Sequence, residues 1–173
     1  MSAEALYEKG KQLYAAGSLE DALAAFQQAR AEYLQQGDAP RAATVGNDLG
    51  VVYYLAGRRG EATQVLEEVL ATFETSGDLA GQAKAAGNLA QVLNRVRETA
   101  RAEKYYLRAA ELFQQLGQRD FEADTHRALS QMHLQHRRFI DALIAYDRAL
   151  AARGGPKWLR WFLQIPLKLM GAR

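Results

Sequence analysis

Cysteine is absent from the 173 residues, which excludes a disulfide framework, a thiolate zinc site and a cysteine nucleophile. Proline occurs only three times, and this scarcity suits an all-helical chain. No run of about 18 apolar residues exists, so no single helix is predicted to span a bilayer. Residues 1–19 contain Glu4 and Glu8 but no apolar segment, and they do not predict a secretory signal.

The charge of the chain is nearly balanced. The 22 basic and 20 acidic side chains give a formal net charge of +2, whereas a general nucleic-acid binder is usually far more basic. Apolar residues make up 49% and charged residues 24%, the usual mixture of a globular protein, which excludes overall disorder. We therefore expect a folded, cytoplasmic protein with no nucleic-acid partner.

The sequence repeats itself every 40 residues. An alanine recurs at this spacing, a large apolar or aromatic residue follows it by four positions, and a glycine recurs between the units. These residues are Ala22, Ala62, Ala102 and Ala142, then Phe26, Leu66, Tyr106 and Tyr146, and finally Gly37, Gly77 and Gly117. The pattern predicts four copies of one unit over residues 3–153, at 3–36, 39–76, 79–116 and 121–153.

Each unit is predicted to contain two helices. Apolar residues in the segment 19–34 recur at intervals of three and four, which is the helical period. Glycines that favour the left-handed conformation stand where the helices should end: Gly17 and Gly57 after first helices, and Gly37, Gly77 and Gly117 after second helices. Ser18 and Asp21 resemble a capping box. Three aspartates are expected to cap the next first helix: Asp38, Asp78 and Asp120.

These units resemble the tetratricopeptide repeat. The second unit matches the family pattern best, through Leu49, Gly50, Tyr53, Ala62, Leu66 and Val69. The standard repeat is shorter, and the 40-residue form is similar to the repeats of kinesin light chains and spindle-orientation adaptors. The resemblance implies an all-α, right-handed superhelical array of four helix pairs. It also implies that the first helices form a concave inner wall that holds a peptide or a partner protein.

Polar side chains are expected along this inner wall. Amides can bond the backbone of a peptide, and lysine and arginine can bind its carboxylates. The predicted groove residues are Lys11, Asn47, Tyr54, Lys84, Asn88, Gln91, Asn94, Arg95, Arg127 and Gln131. Such a wall suits an acidic peptide, although the same positions are also compatible with ordinary solvated helix surface. The family's clamp for acidic C-terminal tails is not expected, because only fragments of its residue set occur.

Arginines gather near the turns between first and second helices. They are Arg58, Arg59, Arg95, Arg97, Arg101, Arg137 and Arg138. Such a basic rim is compatible with binding of phosphate or anionic lipid. The interpretation that we favour is that these arginines complement the dipoles at helix C-termini.

No catalytic or metal-binding arrangement is predicted. His133 and His136 share a helix face, which is compatible with a metal site. However, His126 and His133 occupy packing positions of the repeat, which favours structural histidines. No glycine-rich phosphate loop is expected either, because no strand is predicted. We therefore expect a protein that is not an enzyme and that needs no metal or cofactor.

The segment after Arg153 departs from the repeat. Gly154 and Gly155 break the preceding helix, and Pro156 is suited to begin another. An apolar, basic helix is predicted at 156–170. It carries one narrow polar stripe, formed by Lys157, Arg160, Gln164 and Lys168.

This last helix has more apolar surface than a covering helix needs, since a face of roughly 100–140° suffices. Pro166 is expected to kink or end it near Ile165. One interpretation is that the helix only closes the array. The alternatives are contact with a second copy of the chain, which we prefer, or with a membrane surface. The predicted contact residues are Trp158, Trp161, Phe162 and Ile165.

The predicted function is therefore a non-catalytic scaffold that binds a protein or peptide in the concave groove. The alternative is a peripheral membrane adaptor or self-assembling adaptor that acts through the C-terminal helix.

Overall fold

The computed structural model describes residues 1–169, and for residues 166–169 only the backbone. Within this part of the chain there are nine α-helices: α1 (Ala3–Ala15), α2 (Leu19–Gln35), α3 (Ala39–Leu55), α4 (Arg59–Ser76), α5 (Leu79–Arg95), α6 (Thr99–Gln115), α7 (Arg119–Gln135), α8 (Phe139–Ala152) and α9 (Lys157–Leu169). The last residue of the predicted C-terminal helix, Met170, lies outside the described residues. Helix α7 begins two residues before the predicted start of the fourth unit.

The helices form consecutive antiparallel pairs that stack on one another. Each second helix packs against its own first helix and against the first helix of the next pair. In addition, α3 contacts α5 and α5 contacts α7, so the first helices form one layer and the second helices the other. This arrangement confirms the all-α superhelical array that the 40-residue period predicts.

Small residues allow the paired helices to approach closely. A Cβ atom at Gly10 would lie 2.5 Å from the Phe26 ring, and one at Gly50 would lie 2.6 Å from Cγ of Leu66. Ala62 and Ala102 are completely buried at the equivalent crossings of later pairs. The small columns of the sequence are therefore positions of helix contact.

The helix caps agree with the sequence at two of the expected positions. Asp38 accepts a hydrogen bond from the backbone N–H of Arg41 at 3.0 Å, and Asp78 accepts one from Gly81 at 2.9 Å. Both aspartates directly follow the glycine that ends the preceding helix.

Two capping predictions are wrong. Asp120 lies in the first turn of α7, because the N-cap residue is Gln118, which directly follows Gly117. Ser18 is the N-cap residue of α2, but its side chain makes no capping hydrogen bond, so the box with Asp21 does not form. Asp21 and its neighbour Glu20 instead place negative charge at the positive end of the helix dipole.

Two arginines occupy a backbone conformation that favours glycine. Gly17 and Gly57 end the first helices of the first two pairs with φ of 79° and 78°. The equivalent residues of the next two pairs are Arg97, with φ of 66°, and Arg137, with φ of 58°. A residue with a Cβ atom is strained in this left-handed region, by roughly 1–2 kcal/mol.

We expect Arg137→Gly to raise the free energy of unfolding by about 1 kcal/mol, because glycine adopts this conformation without steric cost. Among the described residues, Arg137 forms no ion pair that the substitution would remove. Urea unfolding followed by circular dichroism measures the change. Arg59→Gly is the control, since this exposed arginine has helical backbone geometry and should give no stabilisation. Equal effects of the two substitutions would contradict the argument.

Candidate binding groove

The first helices line a continuous groove on the inner face of the array. Three adjoining depressions form it, with volumes of about 340, 420 and 220 Å³ in order from α1 to α7. The first two share Asn47, Asp48 and Lys84 in their walls. The second and third share Gln91, Tyr106 and Ala128. The groove therefore crosses first helices from all four pairs.

Eight of the ten predicted groove residues line these depressions: Asn47, Tyr54, Lys84, Asn88, Gln91, Asn94, Arg95 and Gln131. The other two side chains are engaged elsewhere. Lys11 pairs with Glu8 and lies 4.7 Å from the centre of the Tyr7 ring. Arg127 lies 3.3 Å from Asp124 on the same helix.

Side-chain hydrogen bonds connect neighbouring first helices along the groove. Each joins residues 41 positions apart, so the bonds follow the repeat. The donors and acceptors are the Tyr7 hydroxyl and Asp48 (2.7 Å), Asn88 and Asn47 (3.0 Å), and Asn94 and Gln135 (3.1 Å). Each amide has further donor and acceptor capacity, so the bonds orient these groups and still leave hydrogen-bonding capacity for a ligand.

These hydrogen bonds between first helices are interrupted at one repeat position between α5 and α7, two helices that Asn94 and Gln135 connect further along their length. Gly87 and Ala128 occupy the positions that carry the bonded pairs elsewhere, and both line the largest depression beside the rings of Tyr106 and Phe113. A Cβ atom at Gly87 would meet only Cβ of Ala109, at 3.9 Å, which is an ordinary contact. Packing therefore does not require glycine here, although glycine inside a helix costs roughly 0.5–1 kcal/mol relative to alanine. The consequence of having glycine at position 87 is open space in the groove.

The carboxylates of the central groove already have partners. Asp48 accepts the hydrogen bond of Tyr7, and burial together with this bond raises the pKa of Tyr7 well above its ordinary value. Asp124 lies 2.9 Å from Arg153 and 3.3 Å from Arg127. Two arginines thus compensate the negative charge of Asp124, whereas the hydrogen bond from the neutral Tyr7 hydroxyl orients Asp48 and leaves its charge in place.

The cations of the groove are less engaged. Across the described residues, Lys84 and Arg95 have no carboxylate within the 4.0 Å of an ion pair. Both are exposed and both belong to α5. Because Asp124 is paired with arginines, these two cations outnumber the one uncompensated carboxylate, Asp48, and the net charge of the central groove is positive.

Tyr54 is the one aromatic groove residue that the sequence predicted, and Tyr106, Phe113 and Phe121 were not among the predictions. Tyr106 was assigned to a packing column, yet it lines two of the depressions, and burial raises its pKa to about 12. Phe121 is exposed and stacks on Phe113, with ring centres 5.3 Å apart. The sequence signal that could have indicated space for these rings was Gly87. It is a small residue at a repeat position that Tyr7, Asn47 and Arg127 occupy in the other units.

Among the described residues, the histidines do not belong to a metal-binding group of side chains. His126 and His133 are buried, and burial lowers the pKa of each, so both imidazoles are neutral near pH 7. His136 is exposed, and its Nε2 atom lies 3.2 Å from the Asn94 side-chain oxygen. In the described residues, no group of three histidine or acidic side chains is arranged to hold a metal ion.

Several rim arginines form ion pairs, and four of the seven stand at the wrong end of a helix for the dipole interpretation. Arg58 and Arg138 are N-cap residues, and Arg59 and Arg101 lie in the first turns of α4 and α6, where the helix dipole disfavours a cation. Acids compensate for the N-cap arginines: Arg58 pairs with Glu61 at 2.7 Å, and Arg138 pairs with Asp141 at 2.8 Å and Glu103 at 2.6 Å. The favoured interpretation is therefore wrong for these four residues.

Helix α9 packs on α8 with two residues of its polar stripe, Arg160 and Gln164, turned inward, whereas Lys157 of the stripe is exposed. Arg160 donates to Asp147 at 3.0 Å, and Gln164 donates to the same carboxylate at 3.3 Å. The helix continues through Pro166 to Leu169, so of the two predicted effects of Pro166, a kink or an end near Ile165, the end is wrong. Proline removes a single backbone donor, and the turns around it are retained. No helix in the described part of the chain is long and apolar enough to cross a membrane.

A model of the tetratricopeptide repeat family matches residues 1–75 and 81–154, and the chain belongs to this family. Proteins of this class generally act as scaffolds for protein–protein interaction. No curated protein matches the sequence.

Solved structures show the same fold. BtubC (BKLC) from P. vanneervenii has a TM-score of 0.74 at 24% identity, over 84% of this chain and 59% of that chain. Two structures of a kinesin light chain-like protein with nearly identical TPR-like repeats from Podosopora anserina have TM-scores of 0.67 and 0.56, at 12% and 14% identity. Each covers 98% of this chain and 94% of its own. The chain thus spans 59% of the length of BtubC, and these similarities establish the fold alone.

Proposed function

We propose that the chain is a scaffold that holds an acidic peptide segment of a partner protein in the groove. The observation that carries the proposal is the charge state of the central groove. Asp124 is paired with two arginines, whereas among the described residues Lys84 and Arg95 have no carboxylate partner and outnumber Asp48. Carboxylates of a bound peptide would form charge-assisted hydrogen bonds with these two cations.

The spacing of the groove amides suits an extended backbone. Packed helices are separated by about 8–10 Å, and an extended chain advances about 3.3 Å per residue, so three peptide residues span one helix. Asn47 on α3, Asn88 on α5 and Gln131 on α7 supply amides on successive first helices. A peptide that crosses the helices would therefore meet a backbone-binding amide about every third residue.

The gap beside Gly87 gives the groove a place for an apolar side chain. Lys84 and Arg95 are eleven residues apart on α5, about 16 Å along the helix, and Gly87 lies between them. Rings of Tyr106 and Phe113 line this depression. The expected ligand thus combines an apolar residue with acidic residues.

Selection from a random peptide display library on the full-length protein tests the proposal. We expect the selected peptides to be enriched in Asp and Glu, and their affinity to fall at least about 10-fold in the double variant Lys84→Glu, Arg95→Glu. The double variant Arg59→Glu, Arg119→Glu is the matched control. It makes the same change of charge at exposed, unpaired arginines outside the groove.

The control separates local contacts from general attraction. Equal losses of affinity in both double variants would show that only the overall charge matters. Unchanged affinity in the groove variant would show that the peptides bind to another surface of the protein.

A second candidate function is that of a self-assembling adaptor, in which α9 joins the array to another molecule. The observation that favours it is the exposure of Trp158, Trp161 and Phe162 on a helix that already rests on α8. This role is compatible with the first one, because the groove is formed by other helices.

A further inference from the structure

A second cavity lies between α6, α7 and α8, apart from the groove. Its volume is about 390 Å³, and none of the residues that line it lines the three groove depressions. The second helices α6 and α8 supply apolar walls, among them Leu107 and Ala151, and α7 contributes Glu122 and His126. Ligand pockets begin at roughly 300 Å³, so this space suits a small group such as a single side chain.

The equivalent positions of the preceding repeat are closed by hydrogen bonds. Gln82, the equivalent of Glu122, donates to the backbone oxygen of Phe73 at 3.1 Å and accepts from Arg108 at 3.1 Å. Arg108 also pairs with Glu74. This network joins α4, α5 and α6, and it engages both the oxygen and the nitrogen of the Gln82 amide.

The corresponding network is not formed at the cavity. Glu122 and Arg148 stand where Gln82 and Arg108 stand one repeat earlier, yet within the described part of the chain neither has an ion-pair partner. Glu122 is only 9% exposed. A carboxylate on so buried a residue is costly unless a donor or a cation meets it. The cavity thus lacks a donor that a ligand would supply.

His126 is a second unsatisfied group in the wall of the cavity. It is 8% exposed, and its Nδ1 atom is buried with no hydrogen-bond partner in the described residues. Ala86 fills the equivalent position one repeat earlier without such a cost, so packing of the repeat does not require an imidazole. Burial and the nearby charge of Arg148 lower the pKa of His126, and the ring adds no positive charge to the cavity near pH 7.

The charges that line the cavity favour a cation. Glu111 on α6 also lines it and, like Glu122, has no ion-pair partner in the part of the chain that the structure describes. Two carboxylates against the one guanidinium of Arg148 give a formal charge of −1. An anionic ligand would meet the buried carboxylate of Glu122. A metal ion does not fit, because no group of three histidine or acidic side chains among the described residues is arranged to hold one.

We infer that this cavity receives an arginine side chain of a partner protein. A guanidinium presents several N–H donors in one plane and can pair with a carboxylate through two of them, while its aliphatic stem lies on the apolar walls. A lysine ammonium is more strongly hydrated and lacks this paired geometry, so it binds less well. The inference goes beyond the proposed function and does not depend on it. A partner that also occupies the groove would be held at two separate places.

Titration of the full-length protein with N-acetyl-arginine amide, followed by NMR, tests the inference. We expect saturable shifts of the His126 ring signals, with a millimolar dissociation constant. The neutral citrulline analogue should bind at least about 10-fold more weakly, and the lysine analogue at least about 3-fold.

Two substitutions of glutamate by glutamine locate the binding. Glu122→Gln should weaken binding at least about 10-fold, because it replaces the buried carboxylate by the amide found at position 82 in the closed network. Glu32→Gln is the matched control. It makes the same change of charge at a partly exposed glutamate on α2, outside the cavity, and should leave binding unchanged. Circular dichroism checks that both variants remain folded.

Arg148→Gln distinguishes a cation site from an anion site. Removal of this neighbouring positive charge should tighten binding of N-acetyl-arginine amide at least about 2-fold, whereas weaker binding would overturn the inference. Absence of saturable binding, equal binding of the citrulline or lysine analogue, or full binding to Glu122→Gln would also overturn it. The groove variant Lys84→Glu, Arg95→Glu should bind the probe normally, so this inference and the proposed function can fail separately.

Discussion

Leu66→Ala is expected to lower the free energy of unfolding by about 3–5 kcal/mol. Leu66 is completely buried where α4 crosses α3, and removal of its side chain costs both the transfer of the lost atoms and the cavity that remains. Urea unfolding of the full-length protein measures the loss. A change below about 1 kcal/mol would mean that this crossing is not tightly packed.

Gly50 provides a second test of the same crossing. A Cβ atom there would lie 2.6 Å from Cγ of Leu66, so Gly50→Ala should destabilise by about 1–3 kcal/mol. In the Leu66→Ala background the clash is absent and alanine favours the helix, so the same substitution should become neutral or stabilising. Gly87→Ala is the matched control, because a Cβ atom has room at that position. Strictly additive effects of Gly50→Ala and Leu66→Ala would contradict this geometry.

Ala62→Leu and Ala102→Leu should each destabilise the protein by about 1–3 kcal/mol. Both alanines are completely buried at equivalent helix crossings, where a larger side chain forces neighbouring atoms apart. Thermal unfolding measures the loss. Ala31→Leu, at an exposed position of α2, should change stability by less than about 0.5 kcal/mol. If the buried and exposed substitutions had similar effects, the alignment of the repeats would be in error.

The helix pairs and their crossings were predictable because they depend on local and periodic signals. A glycine such as Gly57 ends a helix wherever the chain needs a positive φ, and an aspartate directly after a glycine caps the next helix. The small residues at Gly50 and Ala62 recur at the same spacing as the crossings. Such signals identified the family but not the exceptions, such as the left-handed conformation of Arg97 and Arg137.

The sequence also determined which residue types line the inner wall, since the repeat places equivalent positions on equivalent helix faces. It did not determine which of their charges are free. Whether Asp124 pairs with Arg153, the C-cap residue of α8, depends on a distance that only the packed array defines. The same holds for Tyr106, which lines the groove from the second layer of helices.

The C-terminal helix likewise has some features that the sequence determines and others that only the tertiary structure determines. Its helical period, its basic charge and its excess of apolar residues follow from the sequence alone, because they depend only on the order of residues along one helix. Its orientation was decided by a carboxylate on another helix: Asp147 of α8 attracts Arg160 and Gln164, so that Trp158 and Trp161 face outward. A polar stripe predicts the solvent-exposed face of a helix only when no polar partner lies nearby, and here tertiary packing supplied such a partner.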